Sequence, residues 1–345
     1  MKFTQKKKED ILFKIAKQIK YSPGISVSQI SAHVGISRTS CQKYIRELEE
    51  KGLLRKDKNS CRNLKVLSTL RHVMPNTDID ESDVYDKYIA PSIKALHTEC
   101  VRKFNYACTE MINNVVDHSE GSVLRIAIIE DYVSFQIRII DNGIGIFKKI
   151  ADGFNLRSIN DAILELDKGK CTTDPERHTG EGVFFSSKMF DMFVIQANGM
   201  TYISKNDLPS SYLIENTKRT RINGTCVIME LAKDNAVPCK EIFDRFCEDD
   251  CFNKTIIPVV HLIDRRNTSD MTLVSRSQAK RLLARFDRFK NIILDFEEID
   301  SVGQAFADEI FRVYKTKYPD IDISCINANT EISRMITRVR NTAKL

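Results

Sequence analysis

The chain has 345 residues, 42% of them apolar and 29% charged, which excludes an intrinsically disordered protein and leaves room for two or three domains. No run approaches the roughly 20 apolar residues that a membrane span requires, and the ten cysteines lack the paired spacing of a disulfide framework. The net charge of +6 is lopsided: residues 1–66 hold sixteen Lys or Arg against six Asp or Glu, leaving the rest slightly acidic.

The first thirty residues are basic and amphipathic, without the apolar core of a secretory signal. The expectation is a cytoplasmic protein with reduced, mostly buried thiols, no membrane association, and a polyanion partner for its N-terminal module. In residues 8–20, Ile11, Leu12, Ile15, Ala16 and Ile19 fall at helical spacing. Ser22-Pro23-Gly24 breaks that helix. Ser26 and Gln29 make a capping-box pair for a second helix reaching about Val34. After the Gly35 turn, Ser37 caps a third helix to about Lys51. Cys41, Ile45 and Leu48 share its inward face, while Arg38, Thr39, Gln42, Lys43 and Arg46 point away. With Gly52-Leu53-Leu54-Arg55 and the following Lys56, Lys58, Arg62 and Lys65, residues 1–68 resemble a winged helix-turn-helix. That resemblance implies a third helix entering a major groove of double-stranded DNA, with Arg38, Gln42 or Lys43 reading bases. A basic module that docks on another protein is the alternative.

Residues 69–94 turn acidic and lose periodicity, which predicts a linker. Long helical patterning then returns. A helix over Cys108 to Ser119 places Glu110, Asn114 and Asp117 or His118 near one face. Two alternating runs follow, Val123 to Ile129 and Val133 to Ile139, which predict a strand hairpin. Asp141 stands where the second strand ends. Glycine is scarce in this chain, yet seven of its 13 glycines fall between Gly121 and Gly182.

Three ordered blocks, Glu110-x-x-x-Asn114, Asp141-x-Gly143-x-Gly145 and Gly180-Glu181-Gly182, resemble the GHKL ATPase superfamily, most nearly the anti-sigma-factor serine kinases. The run Ile222 to Leu231, with Gly224-Thr225, matches that superfamily's last strand. The resemblance covers residues 95–232 and implies an α/β sandwich with helices on one face of a mixed sheet. It also implies bound ATP and Mg2+. Asp141 would accept a hydrogen bond from the adenine amine, and Thr225 would assist it. Gly143 and Gly145 would turn the chain under base and sugar. Gly180 and Gly182, before a helical run from Val183 to Met192, would offer backbone N–H groups to phosphates. Asn114 would give Mg2+ a hard oxygen, and Glu110 would be the catalytic general base. The residues between Gly145 and Gly180 would form a mobile lid, whose Lys168, Lys170 and Arg177 are read as solvated charges. His97 reads as an ordinary helix residue rather than a phospho-acceptor.

A linker helix is expected within residues 233–252. Cys239, Cys247, Cys251 and His261 have irregular spacing, read as buried thiols rather than a zinc site. From residue 253 the pattern alternates strand and helix. The block Ile292-Ile293-Leu294-Asp295-Phe296, followed by Asp300-Ser301-Val302-Gly303, resembles the STAS domain of anti-sigma-factor antagonists over residues 253–345. There Ser301 corresponds to the phosphorylated serine; otherwise it caps the following helix. Val302 departs from the serine usual beside it.

The whole is expected to be a multidomain α/β protein: winged helix, GHKL sandwich and STAS-like domain. Its expected function is an ATP-binding, DNA-binding transcriptional regulator, working as a homodimer, in which nucleotide state modulates DNA or partner binding. Two other readings stay open. One is a protein serine kinase acting on Ser301 or on a STAS or sigma-factor-pathway partner. The other is a nucleotide-sensing scaffold without catalysis.

Overall fold

A computed structural model describes residues 5–57, 61–172, 179–205, 212–215, 223–249, 251–263 and 270–342. The chain opens with three helices, α1 (Gln5–Tyr21), α2 (Val27–Val34) and α3 (Arg38–Glu50). Ile11, Leu12, Ile15, Ala16 and Ile19 are the buried stripe of α1. The Ser26–Gln29 capping box is formed, and Gly35 closes α2 in the left-handed region. Strands β1 (Leu54–Lys56) and β2 (Arg62–Leu64) pair as the wing.

No linker follows. Strand β3 (Val66–Pro75) runs on from the wing and pairs with β4 (Val123–Asp131) as the edge of a seven-stranded sheet. The expected linker is therefore half strand and half helix: α4 (Glu81–Val84), a π-helical turn Tyr85–Ile89, and α5 (Ala90–Ile93). Val84, Tyr85, Ile89 and Ile93 tie this segment into the main core.

Helix α6 (Thr98–His118) is a turn or more longer at its start than expected, because its stripe Cys100, Phe104, Ala107 and Cys108 is already buried. Strand β5 (Ser134–Asp141) completes the hairpin with β4. Beyond it come α7 (Ile146–Gly153), α8 (Ile159–Lys168), α9 (Gly182–Met189), β6 (Met192–Ala197), β7 (Met200–Lys205), β8 (Tyr212–Glu215) and β9 (Thr225–Ala232). The strand order is β3-β4-β5-β9-β6-β7-β8, and every pairing is antiparallel. The expected mixed sheet is corrected accordingly. A helical crossover leads from β5 to β6, but β9 inserts between them and runs opposite to both.

Among the described residues, part of the segment expected as a lid between Gly145 and Gly180 is packed helix. Every residue of α8 from Asp161 to Lys168 is buried, and α9 ends at Met189, with β6 beginning at Met192. The next helix, α10 (Cys239–Asp244), is short and gives way to a two-residue hairpin, β10 (Cys247–Glu248) with β11 (Cys251–Phe252). That reversal carries Phe246 and Phe252 onto Phe184 of α9.

The C-terminal domain has a parallel sheet, β12-β14-β16 (Lys254–Pro258, Asn291–Asp295, Asp322–Ile326). A small parallel pair, β13 (Thr272–Leu273) and β15 (Ser301–Val302), lies apart from it. Its helices are α11 (Arg276–Leu283), α12 (Gln304–Asp308), a π-helical turn Glu309–Tyr314, α13 (Lys315–Lys317) and α14 (Thr330–Thr342). Strand and helix alternate as the pattern predicts, with a 3-10 turn, Val259–Leu262, directly after β12.

The winged helix is seated on the sheet. Val133 and Ala232 belong to its hydrophobic core. Lys20 Nζ reaches Ser134 Oγ at 2.7 Å, Glu230 Oε1 at 3.2 Å and the Asp131 carboxylate.

Candidate functional site

Strand β5, helix α6 and the start of α9 enclose a cavity of about 360 Å3, within the range of small-molecule sites. Helix α6 presents Glu110, Asn113, Asn114 and His118 to it, positions that share one face. Asp117 is not among the lining residues.

Asp141 closes one end and is 3% exposed. Its Oδ1 accepts the Gly143 N–H at 2.7 Å. Burial pushes its carboxyl above the ordinary range, and hydrogen bonds from Gly143 and Thr225 partly offset this. Thr225 Oγ1 also accepts the Ile146 N–H at 3.0 Å, so one hydroxyl ties β9 to α7 beside Asp141.

The glycines are there for two different reasons. Gly145 lines the cavity with φ +85°. Gly143 does not line it; a β-carbon there would stand 1.9 Å from the Ser119 carbonyl oxygen. Gly143 thus lets the Asp141 loop lie against the end of α6, a closer approach than any side chain permits. At the far end, Gly180 has φ +71° and Gly182 opens α9. Gly182, Val183 and Phe184 of that first turn line the cavity, and the N-cap residue Glu181 makes no side-chain cap.

Sequence reasoning missed Lys149, Cys171, Thr172 and Thr179 in the wall. Lys149 Nζ pairs with Glu120 Oε1 at 2.7 Å. None of the four sits in a periodic pattern that would mark it. Two residues read as solvated stand elsewhere. Lys168 is 1% exposed and bonds Glu165 Oε1 at 2.7 Å, away from solvent. Lys170 Nζ bonds the Arg288 carbonyl at 2.9 Å. Arg177 lies outside the described residues, as does Ile222 at the start of the last-strand run.

Ser301 is corrected as a helix cap. It lies in β15, its hydroxyl 3.4 Å from Thr272 Oγ1, and Gly303 is the N-cap residue of α12. The pairing with β13 holds Ser301 in extended backbone.

On the winged helix, Arg38, Thr39, Gln42, Lys43 and Arg46 are all exposed on one side of α3. Arg62 of the wing is tied to Glu49 of α3 at 3.0 Å. Among the described residues no cluster of three or more His, Cys, Asp or Glu could hold a metal. His261 Nε2 instead meets Asp167 Oδ2 at 3.0 Å. No described helix is long and apolar enough to cross a membrane.

Residues 8–55 match the family model for winged helix-turn-helix DNA-binding domains. Residues 278–333 match the family model for a STAS-like domain of unknown function. The chain therefore carries a winged helix-turn-helix domain and a STAS-like domain, an arrangement that points to a transcriptional regulator. Among curated proteins none matches it.

Proposed function

We propose that the cavity between β5, α6 and α9 binds an adenine nucleotide of GHKL type, and that its occupancy modulates how the chain, as a homodimer, engages DNA or a partner. The observation that carries this reading is Asp141: a buried carboxylate at a strand end, held by Gly143 and Thr225, at one end of a cavity of about 360 Å3. A carboxylate there accepts from an adenine amine, where the guanine carbonyl would repel it. Glycines at the opposite end leave backbone N–H groups for phosphate oxygens.

Hard oxygens suit Mg2+, and Glu110, Asn113 and Asn114, which line the cavity, carry them. Asn114 would hold the ion beside the phosphates, where Mg2+ neutralises their charge. Glu110 would take a proton from water or a protein hydroxyl.

Calorimetry and thermal unfolding with ATP and Mg2+ test the reading. Nucleotide at about a hundred times its Kd should stabilise the binding domain by about 2.7 kcal/mol. Asp141→Ala should abolish the gain. No uptake by the unmodified protein would end the proposal.

A further inference from the structure

The side of the cavity that carries Gly180 and Gly182 rests on the STAS-like domain. Helix α8 and the chain beyond it supply Leu166, Cys171 and Thr172 to the wall. The back of this same segment is bound to the 3-10 turn Phe286–Arg288 and to α11. Arg281 pairs with Asp161, and Arg285 meets Glu165 Oε2 through Nε at 2.7 Å and Nη2 at 2.6 Å. Lys168 Nζ joins Glu165 Oε1 at 2.7 Å to the carbonyls of Arg281 at 3.2 Å and Ala284 at 2.9 Å. Lys170 and Arg288 exchange bonds, Nζ to carbonyl at 2.9 Å and Nη1 to carbonyl at 2.8 Å. Thr255 of β12 donates to the Lys168 carbonyl at 2.8 Å.

Helix α9 is anchored the same way. Phe184 packs on Phe252 at 4.7 Å, and Phe252 on Phe289 at 5.5 Å. The Cys171 N–H donates to the Gly180 carbonyl at 3.0 Å, fastening the two anchored pieces to each other.

Asp161, Glu165 and Lys168 are 7%, 5% and 1% exposed. Charges so deeply placed are tolerable when fully partnered and costly when half released. A half-released contact would be the costliest arrangement, so separation of the two surfaces would run from docked to parted with little between.

We infer that the STAS-like domain is an intramolecular gate on the nucleotide cavity, completing its phosphate-side wall when docked and opening it when drawn away. This rests on the nucleotide reading above. By linkage, bound nucleotide strengthens docking by the factor that docking strengthens nucleotide binding. A protein that captured the STAS-like domain would thereby weaken nucleotide binding by that same factor.

The test uses the full chain with Arg285→Glu, Glu165→Arg, the two combined, and the milder Arg288→Ala on an exposed residue. Hydrogen exchange over residues 159–172 without nucleotide reads docking; calorimetry with a non-hydrolysable ATP analogue and Mg2+ reads the cavity. Arg285→Glu should speed exchange and weaken binding about tenfold, inside the usual coupling range of about 5–150-fold. Arg288→Ala should move both in the same direction by less, and the combined swap should recover much of each. Faster exchange with unchanged affinity overturns the gate. Unchanged exchange in Arg285→Glu and Arg288→Ala overturns the docking it depends on. An unmodified chain that takes no nucleotide, yet loses protection in Arg285→Glu, refutes the cavity's assignment and the gate with it, while leaving the docked contact real.

Discussion

Gly182 lies against the Glu110 carboxylate so closely that a β-carbon on it would stand 1.9 Å from Oε2. The first residue of α9 and the proposed base on α6 therefore share one small space. Gly182→Ala should push aside the flexible end of Glu110, at a cost of about 1 kcal/mol, and reduce nucleotide binding. Glu110→Ala in the same chain removes the obstacle, so the melting temperature should recover while any turnover stays absent. Failure of the second change to restore stability would place the strain elsewhere.

The pH dependence of Asp141 has a definite sign. Burial raises the folded carboxyl above its ordinary value, so the unfolded chain ionises first. Stability from the neutral form is fully present below about pH 4 and is lost as pH rises through the folded pKa. Asp141→Asn cannot ionise. Melting curves of the two proteins should diverge as the pH climbs, the unmodified one losing ground. Nucleotide affinity should move oppositely, because only the carboxylate accepts strongly from adenine. Parallel curves would contradict the burial described for this group.

Lys168 distinguishes a buried brace from a solvated lid. Replacing it with Met leaves Glu165 and two carbonyls short of a donor. Chemical denaturation should show a loss of about 3–5 kcal/mol, the usual cost of breaking a buried pair. A solvated lysine would change stability by less than about 0.5 kcal/mol.

The exposed face of α3 predicts a split between two kinds of contact. Arg46→Ala should lower the slope of log affinity against log salt by about 1, as loss of a phosphate contact does. Arg38→Ala or Gln42→Ala should cost about 1–3 kcal/mol on a preferred sequence and relax discrimination. If none of the three alters DNA binding, the module docks on protein instead.

The parts readable in the chain are those governed by near neighbours. The stripe of α1 and the Ser26–Gln29 cap follow from local spacing, whereas the gathering of Glu110, Asn114, Asp141 and Gly182 around one cavity is implied only by the resemblance of three ordered blocks. Strand β3 was hidden because Val66, Leu67, Leu70 and Val73 are all exposed, so an edge strand shows no period of two. Lys168 reads as solvated from the sequence because the neighbouring α8 carboxylates, Asp161 and Glu165, find partners at Arg281 and Arg285, some 120 residues along. Ser301 looked like a cap because its pairing with Thr272 is equally remote from local pattern.

Only Lys65 separates the wing from β3, and Lys20 pins α1 to the hairpin beyond. The winged-helix head is thus joined directly to the sheet, not hung from a tether. Two copies on neighbouring half-sites would have their sheets phased by the pitch of the double helix, about 34–36 Å per turn. Inserting half a turn of base pairs between those half-sites would carry the sheets to opposite sides of the duplex.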